Sequence, residues 1–113
     1  MASIALSIPI FPGKTEEFKR LANEMTGPKL ANLRASQQRH GITKEQWFVQ
    51  HTPQGDMIII YLEANDIAAV FQTFAASKDP FDLWMKQSFK ALHGVDFNQP
   101  MAGPPPEQIL QFP

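Results

Sequence analysis

The chain predicts an α+β domain in which helices cover one face of an antiparallel sheet. Three observations carry this. The N-terminal segment alternates apolar and small polar residues, two β-rich segments flank the turn Thr52-Pro53-Gln54-Gly55, and the intervening segments repeat apolar residues at i, i+3, i+4 and i+7. At 113 residues the chain has room for one core, so a single domain over residues 1–113 is expected.

In the first segment Ile4, Leu6, Ile8 and Ile10 fall on one side and Ser3, Ala5 and Ser7 on the other, as a half-buried strand requires. Pro12-Gly13 then turns the chain, Thr15 is the expected cap, and Glu16 and Glu17 stand in a first helical turn where the dipole favours negative charge. Phe18, Leu21, Ala22 and Met25 form the apolar stripe. Gly27-Pro28 interrupts it, with Pro28 expected at the first position of a restarted helix whose stripe continues through Leu30 and Leu33 to His40-Gly41. An unbroken helix over residues 15–40 would be about 39 Å long against about 20 Å for a typical strand, which gives the break a geometric reason.

Lys44 to His51 and Asp56 to Glu63 read as a hairpin. With His51 opposite Asp56, parity places Trp47, Val49, Ile58, Ile60 and Leu62 under the helices. Phe48, Gln50, Met57, Ile59, Tyr61 and Glu63 then lie on the opposite face. Asn65 or Asp66 caps a helix bearing Ile67, Val70, Phe71 and Phe74, and Asp79-Pro80 opens another bearing Trp84, Met85, Phe89 and Leu92 until His93-Gly94. Five of the ten prolines fall in residues 100–113, marking a proline-rich C-terminal arm. Its stretch Met101 to Pro106 is expected to run extended and deliver a last strand, Glu107 to Phe112, with Ile109 or Leu110 turned inward. The order β-α-β-β-α-α-β matches a split β-α-β, ferredoxin-like plan: a four-stranded antiparallel sheet with helices on one face.

Composition narrows the function classes. The chain has no cysteine, so disulfides, thiolate metal sites and a cysteine nucleophile are excluded. Ten basic against eleven acidic residues, without blocks, leave no electrostatic footprint for nucleic acid. The longest apolar string, Met57 to Leu62, is far short of the roughly 20 residues of a membrane span. Met1-Ala2-Ser3 lacks the basic segment of a secretory signal, so a cytoplasmic protein is expected.

Between Gly55 and Leu92 the chain resembles the dimeric α+β barrel superfamily, particularly its stress-responsive branch. The apolar strand Met57-Ile58-Ile59-Ile60-Tyr61, Glu63, a short amphipathic helix and a second helix containing proline carry the likeness. Where that branch has a His-Pro-x-His segment before an aromatic, this chain has Asp79-Pro80-Phe81-Asp82-Leu83-Trp84, with aspartates in place of both histidines. The whole chain is also similar to small bacterial proteins of the superfamily that share a Trp-Phe strand, the Thr-Pro-Gln-Gly-Asp turn and a proline-rich tail. The resemblance implies a dimeric α/β barrel in which the open sheet face packs on a second copy and encloses a cavity. Such cavities serve haem degradation, cofactor-free oxidation of polycyclic phenols, or small-ligand binding.

The haem-degrading branch uses an asparagine, a tryptophan and a histidine, whereas here the first strand lacks asparagine and Trp47 points by parity towards the helices. Phe48, Gln50, Tyr61, Glu63 and Trp84, with Ser7, are the candidate ligand-binding residues, because an apolar wall with a few polar groups is what a small-molecule site needs. Dimer contact is the plainer account of Phe48 and Tyr61. His51 and Asp56 are candidate catalytic residues, since a carboxylate can orient an imidazole as a general base. A solvated turn is the plainer account of that pair. His40 and His93 each stand in the last turn of a helix, where a cation complements the dipole. The three histidines lack metal-ligand spacing, so no metal or cofactor is expected. Asp79 and Asp82 form the close acidic pair, and N-capping accounts for Asp79. The expected function is a small-molecule-binding homodimer, with a cofactor-independent monooxygenase-like enzyme and a structural dimerisation module as alternatives.

Overall fold

In the computed structural model, which describes residues 2–99 and 104–113, the elements run β1 (Ala2–Pro9), α1 (Thr15–Thr26), α2 (Leu30–His40), β2 (Ile42–Thr52), β3 (Gly55–Ala64), α3 (Ile67–Ala76) and α4 (Pro80–His93). The three strands form one sheet in the order β1-β3-β2, both pairings antiparallel. β3 takes the centre because Ile58, Ile60 and Leu62 supply an unbroken aliphatic row on its helix side. Pairing Ile8 with Ile58, Leu6 with Ile60 and Ile4 with Leu62 continues that row across β1. Phe18, Leu21 and Met25 of α1 and Phe81, Met85, Phe89 and Leu92 of α4 close over it.

The hairpin register is the expected one, His51 facing Asp56, with an irregularity between Ile42 and Lys44 where β2 begins. Two helix starts differ from expectation. Thr15 is the first helical residue instead of the cap, and its hydroxyl donates to the Asp56 carboxylate at 2.5 Å, tying α1 to the hairpin. Pro28 lies in the turn before α2, which begins at Leu30. The caps of α3 and α4 are as expected: Asp66 accepts from the Ala69 amide, and Asp79 from the amides of Phe81 and Asp82 with Pro80 at the helix start. Gly94, at φ 78°, ends α4 in the left-handed region with the Phe11 ring so close that a Cβ would stand 2.7 Å from it.

The fourth strand is not present among the described residues. Residues 104–113 are exposed and unpaired in any ladder, and Ile109 and Phe112 are each 90% exposed. Leu110, expected with Ile109 to face inward, is exposed too. The arm touches the sheet through Gln108, whose amide reaches Ser3 Oγ at 3.5 Å. Phe97, in a stretch too short to read from pattern, is instead a core residue. Part of the expected extended run, residues 100–103, lies outside the described residues. No helix is long and apolar enough to cross a membrane among the residues described.

Candidate functional site

The sheet face opposite the helices is uncovered. Cross-strand pairing sets Phe48 beside Ile59, Gln50 beside Met57 and Ser3 beside Glu63, and Phe48 is 52% exposed. Tyr61 Oη donates to Glu63 Oε2 at 2.6 Å, two residues apart on one strand face. That bond to Glu63, with partial burial and the carboxylate's charge, pushes the phenol up from its ordinary value. Phe48, Gln50, Tyr61 and Glu63 therefore share the open face of the sheet without converging, since Gln50 pairs with Met57, six residues along β3 from Glu63.

Trp84 is not with them. It sits on α4, on the far side of the sheet, with its ring 5.6 Å from Phe81 and Lys29 Nζ 4.5 Å above it. There it borders an open surface cleft of about 590 Å³ between α1 and α4. The parity argument could not place a helical residue on a sheet face, and the amphipathic stripe of α4 decides its position instead.

His51 Nδ1 and Asp56 Oδ1 are 2.6 Å apart, with the His51 side chain 70% exposed. The Thr15 hydroxyl first, and His51 second, hold the Asp56 carboxyl below its ordinary range. The pair lies at the hairpin end facing water, with no wall to hold a substrate against it, so it ties the hairpin to α1 more evidently than it prepares a base.

The strongest polar constellation is buried, and pattern reading missed it. Asp82 is 0% exposed and accepts from Ser36 Oγ at 2.5 Å, Ser77 Oγ at 2.6 Å, His40 Nε2 at 2.8 Å and Arg39 Nη2 at 3.2 Å. Burial alone would raise its carboxyl, but the bonds from Ser36, Ser77, His40 and Arg39 outweigh that and hold it far below the carboxylate range. An ionised Asp82 accepts only, so His40 Nε2 is the donor, and His40 Nδ1 is engaged by Thr73 Oγ1 at 2.7 Å. Arg39 also bridges to Asp79 at 3.0 Å. Both imidazole nitrogens are occupied and the carboxylate is enclosed, so the cluster joins α2, α3 and α4 and offers no open site for a substrate. The legible signal was the polar stripe Ser36, Arg39, His40 at i, i+3 and i+4 on α2, which needs a polar partner on the helix it meets.

Two further buried titratable side chains complete the helix layer. Lys86 Nζ donates to the carbonyls of Phe74, Ala75 and Ser77 at the end of α3, and burial lowers its ammonium from the usual value. His93 packs beside the rings of Phe18 and Phe89, which also touch each other, its Nδ1 accepting from the Val95 amide while buried Nε2 has no partner. Desolvation pushes its imidazole down to about 4. The dipole-complementing roles expected for His40 and His93 thus give way to burial in both. No group of three or more His, Asp or Glu side chains is placed to hold a metal ion among the described residues.

Comparison of the chain with models of protein families, with curated proteins and with solved structures returns no significant match.

Proposed function

We propose that the chain works as a homodimer that holds a small molecule at its uncovered sheet face, in the manner of the dimeric α+β barrels it resembles. The observation that supports this is the composition of that face. Phe48, Met57, Ile59 and Tyr61 present apolar surface, bordered by Ser7, Gln46, Gln50 and the hydrogen-bonded pair Tyr61 and Glu63. An apolar patch rimmed by polar groups on a lone chain marks an association site, and a two-fold axis would cover it with its own copy. A ligand between the two faces would meet aromatic and aliphatic walls and one phenol–carboxylate pair, which suits a small, mostly apolar molecule with one hydrogen-bonding group. Cofactor-independent oxidation of a phenol is the enzymatic form of the same reading, with Glu63 as the carboxylate nearest such a ligand.

Light scattering at micromolar concentration tests it. The expected mass is twice the 12.7 kDa of one chain, and Ile59→Asp with Tyr61→Asp should reduce it to the monomer, because two charges would be buried unpaired in the interface. A monomeric parent protein, or a dimer indifferent to both substitutions, rejects the reading.

A further inference from the structure

The recess between α1, α2 and β2 contains a partly buried carboxylate that no role described so far uses. An outer cleft of about 230 Å³ is bordered by Ala22 and Trp47, and an inner apolar cavity of about 50 Å³ lies behind it among Leu62, Phe74 and Phe89. Leu33, Gln37 and Glu45 belong to both linings and so form the partition between the two chambers. We propose that Glu45 anchors a ligand site in this recess, which takes a small neutral molecule with an apolar body and one hydroxyl donor. The proposal does not depend on the homodimer, since every group in it comes from one chain.

The hydrogen bonds at the partition leave room for such a guest. Glu45 Oε2 accepts from Trp47 Nε1 at 2.7 Å, whereas Oε1 is 3.5 Å from Gln37 Nε2, at the outer limit of a hydrogen bond. A carboxylate accepts about four donors. Burial raises the Glu45 carboxyl, and the bonds from Trp47 and Gln37 only partly offset it, so a further donor at the weakly held Oε1 would stabilise the carboxylate. A hydroxyl suits the place better than an ammonium, because a cation entering between hydrocarbon walls would lose its hydration. The outer cleft seats an aromatic ring against Trp47 and Leu33 with its hydroxyl turned to the partition.

The two tryptophans of the chain make the test internal, since Trp47 borders the recess and Trp84 does not. The indole N–H resonances of the full chain would be followed by NMR during titration with p-cresol, toluene and benzylamine. A saturable shift at Trp47 with Trp84 unmoved, and p-cresol binding at least about fivefold tighter than toluene, is the expected result, a factor that corresponds to one hydrogen bond. Glu45→Gln, which keeps the side-chain shape, should weaken p-cresol by about fivefold, and Ala22→Leu, which narrows the outer cleft, should weaken p-cresol and toluene alike. The remaining amide spectrum reports whether each variant is folded. The proposal is overturned by an absence of saturation at Trp47, by equal shifts at Trp84, by toluene as tight as p-cresol, by benzylamine tighter than p-cresol, or by affinities that ignore both substitutions.

Discussion

Asp82 and Lys86 sit one turn apart on α4, oppositely charged and both buried, yet each is satisfied by other partners. The difference in those partners sets the cost of removing each. Asp82→Asn leaves four donors facing a neutral amide, one end of which is itself a donor, inside a site that excludes water. Breaking such a buried ionic network costs about 3 kcal/mol or more, and urea unfolding should show the loss; a midpoint within experimental error of the parent would mean the donors find water. Lys86→Met keeps the aliphatic stem but abandons the carbonyls of Phe74, Ala75 and Ser77. About 2 kcal/mol is the expected penalty for stranding buried acceptors, and an unchanged urea midpoint would show that they are hydrated. Neither residue was legible as buried in the sequence. Hydropathy assigns both to the surface, and only the facing helices, with Ser36 and His40 on one and the end of α3 on the other, reveal why they go inside.

At the scale of the elements, the strands and helices were legible where a local period coincides with a long-range need. The alternation in Ser3 to Ile10 and in the hairpin sets both sheet faces by parity, and a one-residue slip would have sent Ile58, Ile60 and Leu62 to the open face. Asp79-Pro80 and Gly94 likewise work within a few residues of themselves. The arm fails this test. Glu107 to Phe112 has strand-like composition, but a strand exists only where a partner edge receives it, and nothing local to the segment specifies one. Since Ile109, Leu110 and Phe112 contribute little burial within the chain, removing residues 107–113 should change the melting temperature of a single chain by no more than about 2 °C. A drop of about 8 °C or more in calorimetry would show that the arm carries part of the core after all.

For the whole molecule, acid stability follows from two buried groups that act in different ranges. His93 has an ordinary value of 6.5 and is depressed to about 4 in the folded chain. As pH falls through 6.5 the unfolded chain therefore takes up a proton that the folded chain refuses until about pH 4. The stability attached to neutral His93 is whole above pH 6.5 and is lost across that window, by about 3 kcal/mol at 1.36 kcal/mol per unit of difference. Asp82 acts lower. Its folded carboxyl is depressed from 3.8, so its contribution is intact above that value and declines only as acidification protonates the unfolded chain below it. Stability should thus fall in two steps, the first belonging to a histidine whose Nε2 proton has no acceptor and whose ring packs against both Phe18 and Phe89. His93→Phe preserves the stacking, removes the titration and strands the Val95 amide, so it lowers stability at pH 7.5 while flattening the decline between pH 6.5 and 4. Urea midpoints of the parent and variant at pH 7.5, 5.5 and 4.2 separate these effects. If the two proteins lose stability in parallel across those three points, His93 is not the group that makes the fold acid-sensitive.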